Sequence, residues 1–113
     1  MAKSKNAAES KGGSEALRFI DSTDLRKAVL VLRALNHKLR QKMLDLIEES
    51  DRMTVTEIYV KLRMEQSVAS QHLAILRRAG VVRTERDGKF IFYSLDKDRL
   101  KQISELASEL ASA

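Results

Sequence analysis

Cysteine is absent from the 113-residue chain, which removes disulfides, thiolate metal sites and thiol redox sensing together. No apolar run approaches the roughly 18 residues of a membrane span, and there is no charged-then-apolar secretory leader. A glycine-rich phosphate loop is also missing, and the two histidines, His37 and His72, are isolated in the sequence. Carboxylates are plentiful but scattered over expected helix surfaces, with no pair aimed into a pocket, so nothing supports catalysis. These absences predict a soluble, cytoplasmic protein that is not an enzyme, crosses no membrane and carries no metal or cofactor.

One further absence is local. Between Glu65 and Glu85 the chain has no acid. Over Lys61 to Lys89 seven bases face three acids, so most of the net charge of +5 lies in a quarter of the chain. That concentration suits a polyanionic partner better than the modest total does.

What is present reads as one globular domain. Apolar residues make up 43% of the chain, enough for one compact core at this length. Residues 1–14, MAKSKNAAESKGGS, are small, polar and glycine-containing, with Lys3, Lys5 and Lys11 against Glu9, and predict a disordered tail; the alternative is a basic arm that follows nucleic acid. Residues 15–113 form the domain.

A first helix starts near Asp21 or Ser22, either of which can cap it. Its segment LRKAVLVLRAL (25–35) is apolar nearly all round, so it must be covered on two sides. One side can be its own core, and the other suggests a second subunit. Asn36 is expected to cap a second helix over 37–50. Thr54 followed three residues later by Glu57 fits a capping box and opens a short third helix. After the connection 63–65, SVASQHLAILRRAG (67–80) forms a fourth helix that Gly80 ends.

At 100° per residue that fourth helix divides in two. Val68, Ala69, His72, Leu73, Ile75 and Leu76 make a core arc, with His72 a buried structural histidine rather than a ligand. Gln66, Ser67, Ser70, Gln71, Ala74, Arg77 and Arg78 make the other arc. Residues 81–95 then switch to β-rich runs around Asp87-Gly88, a two-residue hairpin signal. That turn sets Arg86 opposite Lys89, a like-charge pair at the tip. Phe92 and Tyr93 are expected to pack the hairpin on the core. From Lys97 a last helix carries Leu100, Ile103, Leu106 and Leu110 on one stripe.

A short helix, a tight connection and a helix with a polar, basic outer face form a helix-turn-helix, and the hairpin behind it forms a wing. The fold expected is therefore mostly α with a small β-hairpin, a winged helix-turn-helix. Gln66, Ser67, Ser70 and Gln71 have the chemistry to read base edges in the major groove. Arg77 and Arg78, with Arg83, Arg86 and Lys89 of the wing, have the charge to hold phosphates. The partner implied is double-stranded DNA.

The run from Leu35 to Leu95 also resembles a known family, the ArsR/SmtB family of bacterial winged-helix repressors. The matching elements are Ser70-x-His72-Leu73, Leu76-Arg77-x-Ala79-Gly80-Val81-Val82, Gly88 in the wing and Tyr93-x-Leu95. Ala34-Leu35-Asn36 followed by Arg40 resembles the start of the family's second helix. The resemblance implies a homodimer that binds an imperfect palindrome and represses transcription. Its first and last helices would form the interface, here through Leu25, Val29, Leu32, Leu100, Ile103, Leu106 and Leu110. Metal-sensing members use cysteines on the helix matching 54–62, or His and carboxylates on the last helix. This chain has no thiolate at the first place and no His at the second, so the expectation is a regulator that senses no transition metal. No inducer is named by the sequence. A winged-helix module that binds a protein instead of DNA is the alternative.

Overall fold

Among the described residues five α-helices and three short strands follow one another as α1 (Ser22–Leu35), α2 (Lys38–Ser50), β1 (Arg52–Thr54), α3 (Val55–Leu62), α4 (Gln66–Arg78), β2 (Val82–Asp87), β3 (Phe90–Leu95) and α5 (Lys97–Ala111). This computed structural model describes residues 18–112. The basic tail expected at 1–14 lies outside them. The chain divides into two units, Met1–Arg33 and Ala34–Ala113.

In the first unit, the Asp21 carboxylate accepts from the backbone N–H groups of Thr23 and Asp24 at 2.8 and 3.0 Å. It thereby satisfies donors that the first turn of α1 leaves over. Leu25, Val29 and Leu32, at helical spacing, are all exposed, and so is Leu30.

The second unit is organised around Met43, Ile47, Ile58, Leu73, Leu76 and Val81, all fully buried. The strands form one antiparallel sheet in the order β1-β3-β2. The winged helix-turn-helix is thus present, with a strand that the sequence did not announce. β1 is three residues long, too short to display the alternation by which strands are recognised. Thr54 serves two elements at once. Its backbone pairs with Phe92 on β3, while its hydroxyl accepts from Glu57 N–H at 3.2 Å and the Glu57 carboxylate accepts from Thr54 N–H at 2.8 Å. The expected capping box is complete.

Two local expectations are corrected. The cap of α2 is His37, not Asn36, and the helix starts at Lys38. Asn36 is the better cap by intrinsic preference. His37 takes the role because its Nδ1 accepts from Leu39 N–H at 3.2 Å while its ring packs edge-on against His72, centroids 5.0 Å apart. The hairpin turn is Gly88-Lys89 rather than Asp87-Gly88, so Arg86 faces Ile91 and Asp87 faces Phe90. Gly88 supplies the positive φ of 66° at the first turn position, the place where a two-residue turn of the II′ kind demands glycine. Asp87 stays in the ladder, within 3.1 Å of the Arg52 guanidinium. The like-charge pair at the tip does not form.

α5 starts at Asp96, whose carboxylate accepts from Arg99 N–H at 3.0 Å. That bond and the Arg83 guanidinium hold the Asp96 carboxyl below its ordinary pKa. Ile103 is buried within the single chain, whereas Leu106 and Leu110 are 53% and 77% exposed. The apolar surface that α5 offers outward is therefore its C-terminal half.

Candidate nucleic-acid interface

The connection from α3 to α4 is three residues long and needs one unusual backbone. Arg63 adopts the left-handed conformation at φ 56°. Its N–H donates to Val60 O at 3.2 Å, and Met64 N–H donates to Tyr59 O at 3.0 Å. These bonds close α3 and turn the chain into α4. Ala69, Leu73 and Leu76 then anchor α4 at zero exposure. Val68, expected on the same arc, is partly exposed; it sits in the first turn, at the edge of the packed face.

At the other end of α4, Gly80 takes φ 80°. Gly80 N–H donates to Arg77 O at 2.9 Å and Val81 N–H to Leu76 O at 3.2 Å, the paired bonds of a Schellman closure. A Cβ at Gly80 would also lie 3.4 Å from the Arg99 side chain. The helix therefore stops cleanly and delivers the chain into the wing after one buried residue, Val81.

Between these two ends, Gln66, Ser67, Ser70, Gln71, Arg77 and Arg78 are exposed and Ala74 is half-buried. None of those six polar side chains hydrogen-bonds or ion-pairs with another described residue. The face is thus one surface of neutral hydrogen-bonding groups followed by two uncompensated guanidinium groups.

The wing bases divide. Arg83 is held by Asp96, with Nε to Oδ2 and Nη2 to Oδ1 both at 3.3 Å, which ties the base of the wing to the start of α5. Arg86 donates only to Gly88 O at 3.4 Å, at the edge of hydrogen-bond range. The Lys89 ammonium lies 5.5 Å from the Phe90 ring centre. The wing acids are answered from elsewhere. The Arg52 guanidinium sits 3.7 Å from Glu85 and 3.1 Å from Asp87 and stacks 3.9 Å above the Phe92 ring. Arg52 thereby leaves Arg86 and Lys89 as net positive charge at the tip. Its role was invisible in the sequence because β1 was.

Behind α4, His72 is half-buried and takes a hydrogen bond at Nδ1 from Arg40 Nε at 3.1 Å. Burial, then the Arg40 charge, then His37 lower its pKa from the ordinary 6.5. The same guanidinium donates Nη1–H to Ala34 O at 3.3 Å. His72 Nδ1 is therefore an acceptor on the inner side of α4. Among the described residues, no three His, Asp or Glu side chains gather as metal ligands, and no helix is long and apolar enough to cross a membrane.

Comparison with known proteins places this geometry among regulators. The family model described as "Bacterial regulatory protein, arsR family" matches residues 37–84, the span from the α2 cap into β2. An uncharacterized HTH-type transcriptional regulator of Methanocaldococcus jannaschii is 36% identical over 84 residues, covering 74% of this chain and 94% of that protein. The transcriptional activator HlyU of Vibrio cholerae is also 36% identical over 84 residues, covering 74% of this chain and 77% of that protein. Among solved structures, the transcriptional repressor PagR of Bacillus anthracis is 28% identical with a TM-score of 0.61, covering 77% of this chain and 99% of that one.

Proposed function

The chain belongs to the ArsR family of winged-helix transcriptional regulators, and from that premise we propose that it is a homodimeric repressor acting at an inverted-repeat operator. The family binds DNA, and its members are transcriptional regulators. The DNA contact rests on one observation, the unpartnered outer face of α4. Six exposed polar side chains with no intramolecular bond among the described residues are a prepared surface, since no internal contact has to break before they meet a ligand. Gln66, Ser67, Ser70 and Gln71 read base edges; Arg77, Arg78, Arg86 and Lys89 hold phosphates. Arg83 contributes less because Asp96 already engages it. The exposed apolar residues of α1 (Leu25, Val29, Leu32) and of α5 (Leu106, Leu110) supply the dimer contact. Leu100 and the buried Ile103 support it from behind.

Selection from a random duplex library at two salt concentrations tests the reading. An inverted repeat with half-sites about one helical turn apart is expected. Binding that collapses with salt and enriches nothing would remove it in favour of a protein-binding module.

The division of labour on the surface is checked by two variants. Gln71→Ala is expected to lose about 1–3 kcal/mol at one base position and to change sequence preference. Arg86→Ala should weaken every sequence alike and lower the salt slope by about one unit. Titrations of both proteins against a panel of duplexes distinguish the two patterns, and identical behaviour on all sequences overturns the assignment.

We further propose that the regulator senses no transition metal. The chain has no cysteine, and neither histidine lies on α5; the carboxylates that remain suit hard cations weakly. Zinc, cadmium or cobalt added to the operator complex is expected to leave its affinity unchanged by fluorescence anisotropy. Release of DNA by any one of them at a stoichiometric dose would refute this.

A further inference from the structure

One hollow lies where α4 meets the wing, lined by Ser70, Ala74, Arg77, Arg78 and Tyr93. On the helix the four fall at i, i+4, i+7 and i+8, a single stripe. Tyr93 stands on the central strand, opposite Thr84 of β2 and Met53 of β1. Its ring is half-buried, yet its hydroxyl makes no hydrogen bond with any described residue, and neither do the Ser70 hydroxyl and the two guanidinium groups. Ala74 ends at Cβ, which keeps the floor of the hollow open. No carboxylate lines it. The contrast is with the hollow on the opposite side of the wing, where Glu48, Asp51, Glu85 and Asp98 offset the bases around them.

Two cations and two neutral hydroxyls, none engaged internally, around a space without an acid match one anion. Because Tyr93 is fixed in the sheet and the arginines belong to α4, an anion here is gripped from two elements at once. We propose that this hollow seats one DNA backbone phosphate in each half-site, with the Tyr93 hydroxyl donating to a non-bridging oxygen alongside Arg77 and Arg78. The inference rests on the DNA-binding reading above and adds Tyr93 to it, a residue the sequence assigned to packing alone.

The probe is the duplex enriched by selection, synthesised with a single neutral methylphosphonate at each backbone position in turn. Tyr93→Phe keeps the ring and deletes only the hydroxyl. It is expected to melt like the wild type and to weaken binding about tenfold, equally on operator and on unrelated duplex. At one position per half-site the methylphosphonate is expected to weaken wild type by a comparable factor and the Tyr93→Phe protein by little more, the non-additivity of groups in direct contact. Ala74→Leu, which fills the hollow, should show the same loss of coupling. Wild-type affinity in Tyr93→Phe, a changed base preference, or penalties that multiply at every position would overturn the phosphate seat and leave DNA binding intact. Failure of the wild type to bind any duplex would overturn DNA binding itself.

Discussion

Leu106→Glu combined with Leu110→Glu is expected to give a folded monomer whose operator affinity is lower by roughly 100-fold or more. The fold should survive, because both side chains are exposed in the single chain at 53% and 77% and polar substitutions there leave no buried charge. The association should not survive. A twofold interface repeats each substitution on both copies, so four carboxylates would stand where apolar surface was to be buried. With the dimer gone, the second half-site is no longer reached at high effective concentration, and that loss is the source of the large factor. Light scattering and anisotropy on the same samples check the two parts. A double variant that stays dimeric, or a monomer that binds as tightly as wild type, would remove α5 from the interface. Ile103→Glu serves as the contrast. That residue is 7% exposed, so the change should unfold the chain rather than dissociate it.

Arg40→Ala is expected to destabilise the protein by roughly 3 kcal/mol, from the loss of two charge-assisted hydrogen bonds, a large part of a typical total. One bond runs to His72 Nδ1 at 3.1 Å and the other to Ala34 O at 3.3 Å. The variant leaves a half-buried imidazole on α4 without its donor, so the helix that carries the proposed DNA face loses part of its backing. The pH dependence follows from the same contact. In the folded chain burial, then the Arg40 charge, lower the His72 pKa from 6.5. Below 6.5 the unfolded chain therefore binds the proton first. The contribution of His72 to stability is complete above that pH and is lost as pH falls towards the lowered folded value. His72→Gln retains an acceptor and does not titrate, so its stability should be flatter over this window in denaturant titrations. Arg40→Ala should flatten it only in part, because burial is the larger cause of the shift. Equal acid slopes in wild type and His72→Gln would show that folding does not lower the histidine's pKa. Asp96 acts in a separate window, below its ordinary 3.8, and does not confuse the reading.

Much of the local structure around the candidate site was legible because its signals are local. The Thr54/Glu57 capping box, the Gly80 closure and the two arcs of α4 depend on residues within one or two turns of each other. The failures are cases where a distant partner decides. His37 displaces Asn36 as a cap because the His72 ring, 35 positions along the chain, packs against it. The hairpin turn moves by one residue because Gly88 must take the first turn position and Asp87 has Arg52 as a neighbour. Arg52 itself came from a strand of three residues, and such a strand has no period to read. Arg83 looks like any wing cation in sequence, and only its bidentate contact with Asp96 separates it from Arg86.

Thr54 has one more consequence. As the last residue of β1 and the cap of α3, it bolts the strand that holds the wing to the helix pair that carries the proposed base-reading face. The wing is then no swinging arm but the second mark on a ruler whose first mark is α4. On B-form DNA one base pair is a step of about 3.4 Å and roughly 35° of rotation, which neither mark can follow alone. If α4 and the wing both contact DNA, a changed base should be tolerated more readily than a changed spacing within a half-site, which competition binding against base-substituted and spacing-altered duplexes checks.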